Sequence, residues 1–234
     1  MLEGANQIHS KITELYTSTR FGCNKRQDVA SRFKNTPDKI ISFSDLHENY
    51  VICIVDVVDS TKITASLPEE KMCKYYGVFL NGMAMIAKEF GATVVKNLGD
   101  SLLYYFPETS EDSNKTAFAD MLECNMAMLQ AHPVINGNMQ EESLSPVNYR
   151  ISADYGRVMI AKSVYSLTDE IFGSPVNICS KINPMASPNG MVIGGNLHQI
   201  VKSFGEYHFK EISGYSLGFK VHYPVYSVLR DKAK

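Results

Sequence analysis

Two aspartates stand where apolar, strand-like runs of the sequence end. Asp56 follows the run in VICIVDVVDST, and Asp100 lies in the turn of VVKNLGDSLLYYF, which has the pattern of a β-hairpin. If the two strands lie side by side, both carboxylates reach the same edge of one sheet, where their charges repel unless a cation separates them. Carboxylate oxygens favour Mg²⁺ or Mn²⁺, which complete their ligand shells with water and substrate phosphates. The pair therefore predicts a metal site.

The loop after Asp56 points to related chemistry. In VVDST, Ser60 and Thr61 lead into a predicted helix whose first backbone N–H groups can receive an anion. A metal site beside such a helix start indicates nucleotide chemistry. A simpler interpretation stays open for either aspartate alone, because Asp is common in turns and as a helix cap.

The surrounding sequence predicts the elements that must position these residues. The predicted strands are Val51–Val55, the hairpin Ala92–Phe106, Tyr149–Tyr155, Met191–Ile193 and Val221–Leu229, and the predicted helices are Glu69–Phe90, Lys115–Ala131 and a segment from Pro175. Residues 132–148 are interpreted as a polar loop, and Gly156 as a turn. This order of strands and helices predicts an α+β sandwich.

The first 45 residues differ from the rest of the chain. Ile8, Ile12, Leu15 and Tyr16 fall at helical spacing, and a polar stretch interrupted by glycine follows them. We therefore predict an N-terminal helical extension over residues 1–45 and a main domain over residues 46–234.

The composition argues against several classes of protein. The 234 residues are 44% hydrophobic and 21% charged, as in globular proteins, and the formal net charge of -2 argues against nucleic acid as a partner. No apolar run approaches the roughly 18 residues that span a bilayer, and the N-terminus lacks the apolar core of a signal peptide. We therefore expect no membrane partner and a cytoplasmic location. The 5 cysteines include no CxxC pair, so neither a disulfide framework nor a zinc site is indicated.

Several blocks of the sequence together resemble the class III nucleotidyl cyclases, the family of adenylate and guanylate cyclases. VDVVDST resembles the strand end with the family's first metal aspartate, KNLGDSLLYYF the hairpin with its second, and EIFGSPVNICSKI its late helix block. The resemblance runs from about Tyr50 to Leu229. It implies an α+β fold with a ferredoxin-like βαββαβ sheet and flanking helices, in a head-to-tail homodimer with active sites at the interface. It also implies a pair of Mg²⁺ or Mn²⁺ ions in each site, held by Asp56 and Asp100.

The resemblance implies further roles for individual residues. Lys96, four residues before Asp100, occupies the position that reads the purine, and its ammonium suits adenine N1, an acceptor, rather than the guanine N1–H. Glu170 falls where an acceptor takes the adenine N6 protons, Asn177 where the ribose is oriented, and Lys181 where the family has its transition-state arginine. The implied reaction converts ATP to 3′,5′-cyclic AMP and pyrophosphate by in-line attack of the 3′-hydroxyl on the α-phosphorus.

Some positions depart from the family pattern. Lys181 keeps the charge of an arginine but loses its planar fork. Ser213 replaces a lysine in EISGYSLGFK, which either leaves Lys210 or Lys220 to bind the triphosphate or weakens its binding. Asp59 stands where many members have glycine; it is interpreted as a loop or cap residue that faces solvent, with a third metal ligand as the alternative.

These departures leave other functions open. One is a catalytically weakened nucleotide-binding module that signals through its dimer state, and another is a cyclase for GTP or a pyrimidine nucleotide. A diguanylate cyclase has a related core but needs a Gly-Gly-acidic-Glu-Phe turn, whereas this hairpin reads Asn-Leu-Gly-Asp-Ser. The intact carboxylate pair, together with Asn177, favours a metal-dependent cyclase that makes cyclic AMP.

Overall fold

A single sheet with flanking helices forms the part of the chain that the computed structural model describes, residues 41–163, 170–212 and 223–230. The strands are β1 (Ile41–Val57), β2 (Thr93–Leu98), β3 (Ser101–Phe106), β4 (Tyr149–Ser163), β5 (Glu170–Gly173), β6 (Gly190–Gly194), β7 (Tyr207–Glu211) and β8 (Val225–Arg230). The helices are α1 (Ser60–Ala65), α2 (Glu69–Glu89), α3 (Lys115–Gln130), α4 (His132–Glu141), α5 (Ser174–Ile182) and α6 (Gly195–Val201). Short 3₁₀ helices, Pro107–Ser110 and Asn183–Met185, follow β3 and α5.

The strand order confirms the α+β, ferredoxin-like fold. The strands are arranged β2-β3-β1-β4-β6-β8-β7, and β5 pairs with β4 outside this path. From β1 to β4 the chain follows the βαββαβ order of the ferredoxin-like unit. The paired strands are antiparallel, except for β4 and β6, which are parallel.

Strand β1 lies at the centre because its sequence is apolar on both faces. Val51, Cys53 and Val55 belong to the large core that includes residues of α2 and α3. Ile52 and Ile54 face the other side, where a smaller apolar cluster includes residues of α5, β2 and β5. A continuous apolar run of this kind is typical of a strand that is covered on both faces.

Helix α2 covers the first of these faces with one regular stripe. Tyr75, Phe79, Met83 and Ala87 follow each other at intervals of four residues, and all are inaccessible to solvent. The helix ends at Glu89, and Gly91 reverses the chain with a φ of 77°. This helix and its end lie where the sequence predicts them.

Gly156 is not a turn, so that prediction is wrong. Strand β4 continues to Ser163, and Gly156 pairs with Tyr50 of β1. A Cβ atom at Gly156 would lie 3.1 Å from Cγ of Pro175 in α5. The glycine is used for the close approach of a helix to the strand, which glycine permits because it has no side chain.

Residues 132–141 form helix α4, where the sequence analysis places a polar loop. The helix has Pro133 in its first turn and buries Ile135 and Met139. Its remaining residues are mostly polar, so composition hides the helical spacing of the few apolar residues. The short elements β5, β7 and α6 are also absent from the prediction, because runs of four to seven residues carry little periodicity.

Several sequence-based predictions fall outside the described residues. The N-terminal helical extension lies almost entirely before residue 41, and the division of the chain at residue 46 stays a prediction. Ser213 and Lys220 also lie outside. In residues 41–163, 170–212 and 223–230, no helix is both long and apolar enough to cross a bilayer.

A buried carboxylate, Asp154, holds α6 and the segment before β8 against the sheet. Its side chain is inaccessible to solvent. Oδ2 accepts a hydrogen bond from the Tyr223 hydroxyl at 2.9 Å, and Oδ1 accepts one from the Leu197 amide at 3.4 Å. The Tyr223 oxygen also accepts a hydrogen bond from the Asn196 amide at 3.1 Å. Burial raises the pKa of Asp154 to about 6, although its hydrogen bonds act in the opposite direction.

We expect Asp154 to make the stability of the protein depend on pH. Its pKa of about 6 in the folded state exceeds the ordinary value of 3.8, so the native state takes up its proton more readily than the unfolded chain. The resulting stabilisation is fully present below about pH 4 and is lost as the pH rises through about 6. The free energy of unfolding of the wild type, relative to that of Asp154→Asn, should therefore fall over this interval in urea titrations. Parallel pH profiles would contradict the assignment.

Candidate active site

The structure brings the two predicted metal ligands together at one edge of the sheet. Asp56 lies near the end of β1, and its register partner on β3 is Ser101. Asp100 immediately precedes Ser101 in the turn between β2 and β3, where Gly99 takes the positive φ of 66° that the tight turn requires. The pairing of β1 with β3 therefore places both carboxylates in the same neighbourhood, as the sequence predicts.

The electrostatics of Asp56 fit a cation site. Partial burial, followed by the negative charge of Asp100, raises the pKa of Asp56 to about 6, while the charge of Arg150 acts in the opposite direction. Two neighbouring carboxylates, one of them partly desolvated, gain most from a bound divalent cation. The described residues contain no cluster of three or more His, Cys, Asp or Glu side chains that could enclose an ion. A pair of oxygen ligands fits Mg²⁺ or Mn²⁺, which take further ligands from water and phosphate.

Arg150 is a residue of this site that the sequence analysis missed. It lies on β4, directly opposite Asp56 in the register between β1 and β4. Its Nε is buried and has no hydrogen-bond partner within the described chain. Its positive charge acts on Asp56, so an anionic group that approaches the same edge meets a cation beside the carboxylate pair. Only the register of β4 against β1 reveals this position.

The loop after Asp56 begins helix α1, as expected from Ser60 and Thr61. Ser60 is the first residue of α1, and Asp59 occupies the position before it with a left-handed φ of 57°. A positive φ is adopted most easily by glycine, which explains why many family members have glycine at the position of Asp59. The Asp59 carboxylate caps no helix amide and instead pairs with Lys62 at 3.0 Å on the exposed surface. Phosphate binding by Ser60 and Thr61 stays a prediction.

Lys96 and Glu170 lie side by side although they come from distant parts of the chain. Lys96 is on β2 and Glu170 opens β5, and their Nζ and Oε2 atoms are 3.6 Å apart. Because β5 pairs with β4, three strands away from β2, the sheet must curl for these elements to meet. A cavity of about 190 Å³ adjoins the pair, lined by Thr93, Val94, Val95, Tyr105, Ile160, Glu170 and Ile171.

The remaining predicted site residues lie on helix α5. Asn177 and Lys181 are four residues apart, so both side chains project from one face of the helix, and both are exposed. The buried face of α5, which includes Ile178 and Cys179, packs against the sheet. The predicted residues thus fall into a carboxylate pair, a Lys–Glu pair and an exposed helix face. Lys210, the other candidate for triphosphate binding, is on β7.

A comparison with protein families decides the relationship that these features indicate. Residues 43–228 match the family model for the adenylate and guanylate cyclase catalytic domain. The chain belongs to this class III cyclase family. The resemblance seen in the sequence is therefore confirmed, and it extends over most of the chain.

Curated relatives of the cyclase domain differ in the nucleotide for which they are named. This chain is 21% identical to a cytidylate cyclase of Staphylococcus aureus over 182 residues, which are 75% of this chain and 43% of the relative. It is 26% identical to putative adenylate cyclase 3 of Rhizobium meliloti over 133 residues, 57% of this chain and 20% of the relative. The chain thus spans less than half the length of either relative.

Solved structures support the fold of the cyclase domain. The adenylyl cyclase CyaB from P. aeruginosa matches it with a TM-score of 0.71 at 18% identity, covering 80% of this chain and 96% of that one. The guanylate cyclase domain of RhGC from Catenaria anguillulae, in complex with GTP, matches with a TM-score of 0.68 at 18% identity, covering 80% and 100%. These matches confirm the mixed α+β architecture.

The carboxylate pair allows a direct test by titration. Replacing Asp100 with Asn removes one of the causes that raise the pKa of Asp56, so this pKa should fall from about 6 in the metal-free cyclase domain. Carboxyl ¹³C chemical shifts of Asp56, followed from pH 3 to 8, would measure the change. An unaltered Asp56 titration would mean that the two carboxylates do not interact.

Proposed function

We propose that this cyclase domain is a divalent-metal-dependent enzyme that converts ATP to 3′,5′-cyclic AMP and pyrophosphate. The observation that carries the proposal is the pairing of Asp56 with Asp100: burial and then the charge of Asp100 raise the pKa of Asp56, and the two carboxylates suit a shared cation site. Membership of the cyclase family supports the same reaction class. The proposal includes the cytoplasmic location expected from the sequence.

The protein's own groups have distinct tasks in the proposed reaction. Asp56 and Asp100 would hold Mg²⁺ or Mn²⁺, which when bound would lower the pKa of the attacking 3′-hydroxyl and neutralise the leaving oxygens. Arg150, opposite Asp56, supplies positive charge beside the carboxylates for the triphosphate. The bond from the 3′-oxygen to the α-phosphorus forms as the bond to the pyrophosphate oxygen breaks, and the hydroxyl proton leaves to solvent.

The exposed face of α5 supports a dimeric active site. We infer that Asn177 orients the ribose and that Lys181 neutralises charge on the α-phosphate, each acting on the nucleotide whose metals the other subunit holds. Both are exposed on a helix that packs its opposite face on the sheet, so a second subunit can reach them. In a two-fold dimer this arrangement creates equivalent sites at the interface. Lys181 lacks the planar fork of arginine, so we expect modest turnover.

The Lys96–Glu170 pair supports ATP and also favours CTP as a second candidate substrate. Lys96 donates and Glu170 accepts, so together they match a ring nitrogen acceptor next to an amino group. Adenine presents this pattern at N1 and N6, and cytosine presents it at N3 and N4. Guanine and uracil present the reverse, an N–H next to a carbonyl oxygen. The pair therefore selects amino bases over keto bases and leaves the choice between ATP and CTP to the adjoining cavity.

The proposal is tested by identifying products. The purified protein is incubated with ATP, CTP, GTP or UTP and Mn²⁺ or Mg²⁺, and cyclic nucleotides are identified by mass spectrometry. We expect cyclic AMP as the main product and none from Asp100→Asn, because an amide binds a divalent cation poorly. CTP as the preferred substrate would establish the second candidate. If no triphosphate is cyclised by a folded dimer, the weakened nucleotide-binding module replaces the proposed enzyme.

Reversing the Lys–Glu pair should reverse the base preference. The double variant Lys96→Glu/Glu170→Lys keeps an ion pair but places the acceptor where the donor was. Its turnover of ATP should fall by roughly an order of magnitude or more, and its relative use of GTP should rise, because donors and acceptors now match the guanine edge. The ratio of kcat/KM values for the four triphosphates measures the effect. An equal loss with every triphosphate would argue against base reading by this pair.

Mixing two inactive variants should restore activity if the site is shared between subunits. Asp56→Ala and Asn177→Ala homodimers each carry a lesion in both sites. A mixed dimer has both lesions in one site and an intact second site. With random subunit exchange about half the dimers are mixed, so activity should recover to roughly a quarter of the wild-type level. Exchange is verified by native mass spectrometry, and no recovery after exchange would place both residues in the site of a single chain.

A further inference from the structure

Tyr75 on α2 is a fully buried tyrosine whose hydroxyl has no hydrogen-bond partner within the described chain. Other fully buried tyrosines of the core are satisfied. The Tyr104 hydroxyl donates to Oδ1 of Asn125, and the Tyr149 hydroxyl donates to the Met128 carbonyl at 2.6 Å. A buried hydroxyl without a partner destabilises the fold, and a phenylalanine of the same shape would avoid this. The hydroxyl at position 75 therefore requires an explanation other than packing.

The position of Tyr75 supplies that explanation. Helix α2 packs against the β2–β3 hairpin, whose turn carries Asp100. Burial, then Tyr76, then the charge of Asp100 raise the pKa of Tyr75 to about 12. The hydroxyl is thus within the electrostatic reach of Asp100 and stays protonated at neutral pH, as a donor to a carboxylate must.

We propose that Tyr75 is a positioning residue that donates a hydrogen bond to the Asp100 carboxylate when Asp100 holds a divalent cation. A carboxylate has more acceptor sites than one ion can use, and a fixed donor on the remaining oxygen sets its orientation. Tyr75 contacts neither the nucleotide nor the ion. The aromatic ring is fixed in the core, so the hydroxyl cannot turn toward solvent. This inference rests on the metal site of the proposed function and names a further residue that prepares it.

The test compares two buried tyrosines by the same substitution. Tyr75→Phe should weaken Mn²⁺ binding about tenfold, because outer partners of metal ligands have effects of this size. The melting temperature of the metal-free protein should stay the same or rise, since the substitution removes an unpaired hydroxyl. The control Tyr104→Phe should lower the melting temperature, because it leaves Asn125 without its donor, and should leave Mn²⁺ affinity unchanged. Isothermal titration calorimetry with Mn²⁺ alone, on the full chain, gives the affinity.

The outcomes separate this inference from the metal site on which it rests. Wild-type affinity in Tyr75→Phe, with binding abolished in Asp100→Asn, would overturn the role of Tyr75 and leave the metal site intact. An equal loss of affinity in Tyr104→Phe would mean that Tyr75 acts through general packing, which also overturns the inference. If neither the wild type nor Asp100→Asn binds Mn²⁺, the metal site and the inference both fail. A tenfold loss confined to Tyr75→Phe supports the hydrogen bond.

Discussion

The pairing of β1 with both β3 and β4 is the constraint on which the site depends. It sets Asp56 opposite Ser101 on one side, next to Asp100, and opposite Arg150 on the other. The apolar residues before Asp56 fix that register, because slipping the strand by one residue would exchange its two buried faces. A carboxylate of raised pKa and an arginine are therefore held in place by hydrophobic packing rather than by their mutual attraction. Under the proposed function, these charges would interact with the metal and the phosphates.

The same sheet separates the tasks of stability and chemistry. The face of β1 that α2 and α3 cover carries the larger apolar core, and the opposite face carries the smaller cluster next to the Lys96–Glu170 pair. Buried polar residues appear where elements must be joined: Asp154 ties α6 and the segment before β8 to β4. Asp56 and Asp154 both have raised pKa values, but Asp154 is satisfied by internal donors. A raised pKa alone therefore does not identify a functional site; Asp56 differs from Asp154 in having the charge of a second carboxylate, Asp100, beside it.

The sequence predicts those parts of the candidate site that depend on short local patterns, such as apolar runs and turn residues. Asp56 follows a strand and Asp100 follows a turn glycine, so their meeting is predictable from hydrophobic runs and turn chemistry. Arg150 and Tyr75 are not predictable in this way, because the position of Arg150 depends on strand register and Tyr75 has the pattern of an ordinary core residue in an amphipathic helix. Gly156 misleads for a related reason, since glycine marks both turns and close packing, and only the neighbouring Pro175 distinguishes them. Helix α4 is missed because its polar surface dominates its composition.

The Lys96–Glu170 contact is a weak ion pair beside the cavity that is proposed to bind the base. Both side chains are partly exposed and their charged atoms are 3.6 Å apart, so the ion pair contributes only about 0–1 kcal/mol. Separating the two charges therefore costs little free energy. In the proposed function, the amino group of the base would donate to Glu170 in place of Lys96, and its ring nitrogen would accept from Lys96 in place of Glu170. In the absence of a ligand, each charge neutralises its neighbour, and the contact joins β2 to β5 only weakly. Under the proposed function, the pair therefore occupies the base-binding position while the site is empty and separates at little energetic cost when a matching base binds.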